Sequence, residues 1–182
     1  VNLELEKPDQ CIFGLITSCL VEILTDANRR HGKRTDLNFN LYGNKLDYLF
    51  YSLADFDKLK LTNVKGDNIL VYCKTGNQLI LDTAEGNYLC AHAAGFGTIN
   101  SLYISNCKGD YISFGLAENG KIGSLFLTNI TADSCGCSSP FDGNAQNIFL
   151  NNVAGYNIGS DVFIESYVKN LVISNCIGDT IG

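Results

Sequence analysis

The sequence predicts an all-β fold: a right-handed parallel β-helix, a solenoid of about seven rungs behind an N-terminal α-helical cap. Three observations predict it. A five-residue motif recurs at steps of 20 or 23 residues, a glycine–aspartate pair follows it at fixed distance, and 46% of residues are hydrophobic against 18% charged. Gly occurs 18 times and Pro twice, while Met and Trp are absent. So low a charge content means that much of the chain is hidden from water. The chain is also long enough to bury a core and too apolar to be disordered.

The motif reads apolar-x-apolar-x-Asn. Leu59-Lys-Leu-Thr-Asn63, Leu102-Tyr-Ile-Ser-Asn106, Leu125-Phe-Leu-Thr-Asn129, Ile148-Phe-Leu-Asn-Asn152 and Leu171-Val-Ile-Ser-Asn175 align without gaps. Leu79-Ile-Leu-Asp-Thr83 and Phe39-Asn-Leu-Tyr-Gly43 fit with Thr and Gly at the last position. Three residues on stands Gly66, Gly86, Gly109, Gly155 or Gly178, with Leu46 and Ala132 as exceptions. One further on come Asp47, Asp67, Asn87, Asp110, Asp133, Tyr156 and Asp179, and two beyond those Leu49, Ile69, Leu89, Ile112, Cys135, Ile158 and Ile181.

Apolar-x-apolar is the period of a strand with one buried face. Asn and Gly share the turn position because both tolerate the left-handed backbone. Stacked one rung apart, about 4.8 Å, Asn side chains can hydrogen-bond along the stack as an asparagine ladder. A helical crossover does not fit, because each step must hold two or three strands and their turns. Leucine-rich repeats share the length but not the residue order.

The L-x-I-x-N unit, as in Leu171-Val-Ile-Ser-Asn175, resembles the repeat of the pectate-lyase-like right-handed parallel β-helix superfamily, over residues 39 to 182. That resemblance implies the fold and a range of roles, from polysaccharide lyases and hydrolases to tailspikes and adhesins.

Residues 1–36 fall outside the repeat and form the predicted cap, with 37–182 as the solenoid. Val1-Asn-Leu-Glu-Leu-Glu alternates like a strand. Ile12, Phe13, Ile16, Leu20, Ile23, Leu24 and Ala27 then follow helical spacing, with Asp9 as N-cap and Gly32 past the end. The expectation is an amphipathic helix near 10–30 whose apolar side lies across the first coil, closing an edge that would otherwise pair with other chains. A membrane-surface role for this helix is the alternative. The basic run Arg29, Arg30, His31, Lys33 and Arg34 answers the helix dipole. With a net charge of −6 and no basic face, nothing suggests nucleic acid as a partner. No run of 18 apolar residues predicts a membrane span, and Cys11–Leu24 makes a poor signal peptide. The chain opens at Val1 without an initiator Met and stops inside its last rung at Gly182. A processed chain or an excerpt would explain the first. A protein partner, or further chain, covering the open rung is expected from the second.

Of eight cysteines, Cys73, Cys107, Cys135, Cys137 and Cys176 occupy core columns, so buried free thiols are expected rather than a disulfide framework or a metal site. Thiols so placed suit a reducing, cytoplasmic compartment. His92 and Cys90 are expected side by side on the outer face, too few ligands for zinc and too far apart for a thiol–base pair. No cofactor, metal or catalytic residue is predicted. The acidic row Asp47, Asp67, Asp110, Asp133 and Asp179 supplies the candidate binding residues Asp67, Asp110 and Asp133, as acid and base or as Ca²⁺ ligands. Because the row follows the repeat through nearly every coil, turn chemistry is the favoured reading. Ser138–Asn144 is the most turn-rich stretch and a candidate groove edge. Asn129-Ile-Thr131 matches a glycosylation sequon, but Asn129 belongs to the turn column.

The function expected is therefore a non-enzymatic β-solenoid scaffold or binding surface. The alternative is a polysaccharide-binding or polysaccharide-cleaving protein, with outward Tyr and Phe as sugar platforms. Against cleavage, all three Arg stand at 29, 30 and 34, outside the solenoid, whereas the lyases it resembles use an Arg or Lys base. The Asp-Asp and Gly-His-Gly motifs of the related hydrolases are missing too.

Overall fold

The computed structural model describes residues 7–135, 144–158 and 167–181. The Val1–Glu6 alternation, Cys137 and positions 138–143 lie outside the described residues, as does the side chain of Cys135.

Helix α1 (Lys7–Arg30) precedes β1 (Asp36–Asn40), β2 (Asp55–Lys65), β3 (Thr75–Glu85), β4 (Thr98–Ile112) and β5 (Lys121–Cys135). Then come β6 (Asn144–Ala154), β7 (Asn157–Ile158), β8 (Tyr167–Ser174) and β9 (Thr180–Ile181). Among the described residues every pairing is parallel, along the path β1-β2-β3-β4-β5-β6-β8, with β7 joining β5 to β9. The chain is a parallel β-solenoid with one N-terminal helix.

Pairing follows the sequence motif. Leu59, Leu79, Leu102, Leu125, Ile148 and Leu171 stand in one column, and Leu61, Leu81, Ile104, Leu127, Leu150 and Ile173 in the next inward one. From β2 to β6 these side chains are buried and form a continuous core. Where Phe56 fills its column, Gly76 stands above it, because a Cβ there would lie 2.2 Å from the Phe56 ring.

The first coil departs from the expected register. Leu37 and Phe39, not Phe39 and Leu41, pair with Leu59 and Leu61. The bridge Lys45↔Lys65 restores the repeat spacing of 20. Two extra residues in the turn, Leu41 and the left-handed Tyr42 (φ 53°), absorb the difference, so Asn40 rather than Gly43 is the side-chain partner of Asn63. The later step from 20 to 23 is placed as plainly. Cys90 N–H still bonds Ile69 O, whereas Gly76 already pairs with Ile99. The three added residues are accommodated at Gly95-Phe96-Gly97 and repeated at Glu118-Asn119-Gly120, where Asn119 N–H bonds Gly95 O at 2.7 Å.

The side of the coil opposite the turn column is not ordinary strand. Alternate residues are left-handed in successive coils: Tyr48, Phe50 and Ser52; Asn68, Leu70 and Tyr72; Tyr88, Cys90, His92 and Ala94; Ser113, Gly115 and Ala117 (φ 52–63°). A left-handed backbone costs an L-residue roughly 1–2 kcal/mol. Inter-coil bonds such as Tyr48 N–H to Asp67 O, Leu70 N–H to Leu49 O and Ser52 N–H to Val71 O offset it. Period-two burial fails there. The column Phe50, Leu70, Cys90 and Ser113 is wholly buried, so Cys90 points into the core and not outward beside His92 as expected.

The helix spans 24 residues and ends at left-handed Gly32 (φ 69°) as expected, but it starts at Lys7. Asp9 therefore sits in the first turn rather than at the cap. More consequentially, the helix is turned over. Gly14, Ser18, Val21 and Thr25 face the solenoid and are buried, while Ile12, Leu15, Ile16, Leu20 and Ile23 face outward. The first coil presents unpaired backbone, which apolar side chains cannot satisfy. Ser18 Oγ donates to Tyr51 O at 2.9 Å, and Glu22 Oε1 accepts from Ala54 N–H at 2.6 Å. Gly14 lies so close that a Cβ would stand 1.8 Å from Tyr48 O. Arg29 reaches past the helix end to Asp55 and Asp57, and Arg30 pairs with Asp26, so these cations bind side chains rather than only the dipole. By length and composition Pro8–Arg30 also suffices to cross a membrane, which the sequence expectation had excluded.

Candidate functional site

Two hydrogen-bonded ladders run along the solenoid axis at and just beyond the left-handed bend near the end of each long strand. The first is the asparagine ladder. Asn63, Asn106, Asn129, Asn152 and Asn175 are all left-handed (φ 52–55°), as is Thr83 (φ 57°). Nδ2 donates to Oδ1 one coil below from Asn63 to Asn40 (3.1 Å), Asn129 to Asn106 (2.8 Å) and Asn152 to Asn129 (2.8 Å). Where Thr83 interrupts the column, Asp82 takes its place, accepting from Asn106 Nδ2 at 2.8 Å and Ser105 Oγ at 2.7 Å. Asn129 is engaged on both sides, which sets its amide against glycosylation.

The second ladder is made by the acidic row. Asp47 Oδ1 accepts from Asp67 N–H (2.9 Å), Asp67 Oδ1 from Asn87 N–H (2.8 Å), and Asn87 Oδ1 from Asp110 N–H (3.1 Å). Each carboxylate or amide caps the backbone of the next coil. Asp is favoured because the position needs an outward acceptor, and Asn87 shows that the charge itself is dispensable. The sequence placed these residues in one column; that the capping passes between coils is visible only once the coils stack.

Between and beside the ladders lies a groove. In its C-terminal half the floor is the column Gly109, Ala132, Gly155 and Gly178. A Cβ on Gly109 or Gly155 would meet the carbonyl oxygen one coil below at 1.8–1.9 Å, so glycine is required there by close approach. At the C-terminal half the groove holds about 560 Å³, with Lys108, Asp110, Asp133 and Asp179 on its walls and Tyr156, 64% exposed, among them. A second stretch of about 650 Å³ continues past Lys108 toward Tyr42, flanked by the Lys65–Glu85 ion pair at 3.0 Å. Lys65 holds the Glu85 carboxyl below its ordinary range. Of the candidate binding residues, Asp110 and Asp133 line the groove, whereas Asp67 is taken up by the ladder. Among the described residues no group of three His, Cys, Asp or Glu is placed to hold a metal ion.

Three thiols lie inside the coil. Cys73, Cys90 and Cys107 are buried free thiols. Burial raises all three, Cys107 to about 12. Cys176 packs against the same core, as its column predicted. His92 does face outward, stacked on Tyr72 (ring centroids 5.0 Å) and edge-on to Phe114, with Nδ1 3.5 Å from Glu118 Oε2. The outward aromatics Tyr103, Phe126 and Phe149 stack face to face at 4.5 and 4.8 Å within 5° of parallel. Rings stacked along the axis spend their faces on one another and offer only edges to solvent, so this column makes no sugar platform.

No family model matches the chain, and neither does any curated protein or solved structure. The parallel β-solenoid therefore rests on the chain's own geometry.

Proposed function

We propose that this chain is a non-enzymatic β-solenoid binding module that recognises an elongated ligand along the groove beside its turn column. The observation that carries this reading is the use made of the acidic row. Asp47, Asp67 and Asn87 are committed to backbone capping, while Asp110, Asp133 and Asp179 line a groove that crosses several coils. Side chains repeating at the rung spacing suit a ligand that is itself extended and repetitive. Burial of the thiols Cys73, Cys90 and Cys107 and the absence of Arg from the solenoid argue against turnover.

Two partners fit. A polysaccharide is favoured by the exposed Tyr156 ring among hydrogen-bonding carboxylates, and by the motif's resemblance to the pectate-lyase-like superfamily. A protein strand would suit the outer edge of β8, where Leu171, Val172 and Ile173 are exposed. The test is a panel of acidic and neutral polysaccharides with and without Ca²⁺, scored for binding and for cleavage. Binding lost in the Asp133→Ala/Tyr156→Ala double variant, with no new reducing ends or unsaturated products, is expected. Cleavage that disappears in Asp110→Ala or Asp133→Ala would refute the non-enzymatic reading.

A further inference from the structure

The outward face of α1 carries a seam that the solenoid does not use. Ile12, Ile16, Cys19 and Ile23 follow each other at steps of four, three and four, the a/d alternation of paired helices. Leu15 and Leu20 flank them. Ile12, Leu15, Ile16, Leu20 and Ile23 are 46–61% exposed, and Cys19 is exposed in their midst. Three polar residues of α1 face the solenoid instead: Ser18 and Glu22 bond the first coil, and Arg29 bonds Asp57 of β2.

This seam is complementary to itself. Turning a second helix about a point between Thr17 and Ser18 sets Ile12 against Ile23 and Ile16 against Cys19, each a opposite a d as antiparallel pairs require, with Leu15 and Leu20 along the two sides of the seam. Between Asp9 and Asp26 the only charged residue is Glu22, which points inward to Ala54, so no like charges meet along the seam. Beside the seam an apolar groove of about 280 Å³ runs between Phe13, Leu20 and Leu24 of α1 and Leu37 and Phe39 of the first coil. At roughly 180 Å² for a full Ile or Leu, the five side chains expose about 500 Å² per copy, or near 1,000 Å² for a pair, the size at which specific interfaces begin. An apolar patch of this extent matches the largest found on typical monomers, which are often functional.

We infer that α1 is the association surface for a second copy of this chain, paired antiparallel about a two-fold axis through the seam. A lipid surface fits less well. A membrane-lying helix keeps a cationic polar face beside its apolar one, and here that face is occupied by the solenoid.

Sedimentation equilibrium of the full chain over a concentration series tests the inference. A mass near twice the 19.8 kDa of the chain is expected, falling to the single-chain mass in Ile16→Glu/Leu20→Glu with an unchanged circular dichroism spectrum. Register is tested separately in a Cys19→Ser background with copper phenanthroline as oxidant. Ile12→Cys/Ile23→Cys should cross-link between copies through residues 12 and 23, identified by mass spectrometry. A wild-type chain that is monomeric throughout, a dimer that survives both glutamates, or a 12–12 linkage in Ile12→Cys alone would each overturn the pairing. Co-sedimentation of a monomeric wild type with phosphatidylcholine–phosphatidylserine vesicles would overturn it in favour of lipid.

Discussion

Replacing Asn129 separates the two things the turn asparagine does. Its side chain donates to Asn106 and accepts from Asn152, both at 2.8 Å, and its backbone is left-handed at φ 55°. The column is exposed, so the abandoned partners regain water, and two such bonds together contribute about 1–2 kcal/mol. Alanine must in addition hold a backbone that disfavours it by roughly 1–2 kcal/mol. Asn129→Ala is therefore expected to lose about 2–4 kcal/mol, and Asn129→Gly only about 1–2 kcal/mol, because glycine adopts the left-handed region freely. That order reverses the usual advantage of alanine over glycine within a strand. Urea unfolding with an unchanged m-value reads the difference directly. In thermal melts of a chain this size about 3 kcal/mol corresponds to roughly 6–12 °C. Alanine matching or exceeding glycine would refute the left-handed requirement. Both variants within a few tenths of a kcal/mol of wild type would refute the ladder as a source of stability.

Other contacts give sharp expectations. Burial disfavours the Asp57 carboxylate, but the Thr35 N–H (2.8 Å) and Arg29 Nε (2.9 Å) outweigh it and hold the group below its ordinary range. A depressed folded pKa adds stability above the unfolded value, about 3.9, and loses it as pH falls through the folded one. Asp57→Asn should thus cost about 1.5–3 kcal/mol at neutral pH and flatten the acid limb of the stability curve, and an unaltered limb would contradict the assignment. In the acidic row, Asp67→Asn should stay within about 0.5 kcal/mol of wild type, since Asn87 already serves at the next step. Asp67→Ala, which leaves Asn87 N–H without its acceptor, should lose about 1–2 kcal/mol; equal losses in urea titrations would show that charge and not capping matters. A thiol reagent at pH 8 should reach Cys73, Cys90 and Cys107 only on unfolding, with tryptic mass mapping as the readout.

The repeat and its chemistry were legible because they are local. Leu59, Leu79, Leu102, Leu125, Ile148 and Leu171 pair as their alignment requires. The left-handed turn at Asn63 and its equivalents follows from which residues tolerate that backbone. The first rung misled because Leu37-x-Phe39 and Phe39-x-Leu41 carry the same apolar-x-apolar signal, and only pairing with β2 distinguishes them. Cys90 misled because period two presumes extended backbone, and its segment alternates into the left-handed region instead.

What the sequence determined by itself is whatever recurs in every coil: the parallel solenoid, the inward columns, the asparagine turn and the placing of Asp47, Asp67 and Asp110 in one row. Recurrence amplifies a weak local preference until it specifies the structure. What the tertiary structure alone decided is everything that depends on one coil meeting something other than its own repeat. The unpaired backbone of the first coil draws Gly14, Ser18 and Glu22 inward and turns Ile16, Leu20 and Ile23 to the outside. The apolar face of α1 offers no hydrogen-bonding groups, so the hydrogen bonds demanded by its neighbour, made by Ser18 and Glu22, and not its own apolar residues, set which face is buried.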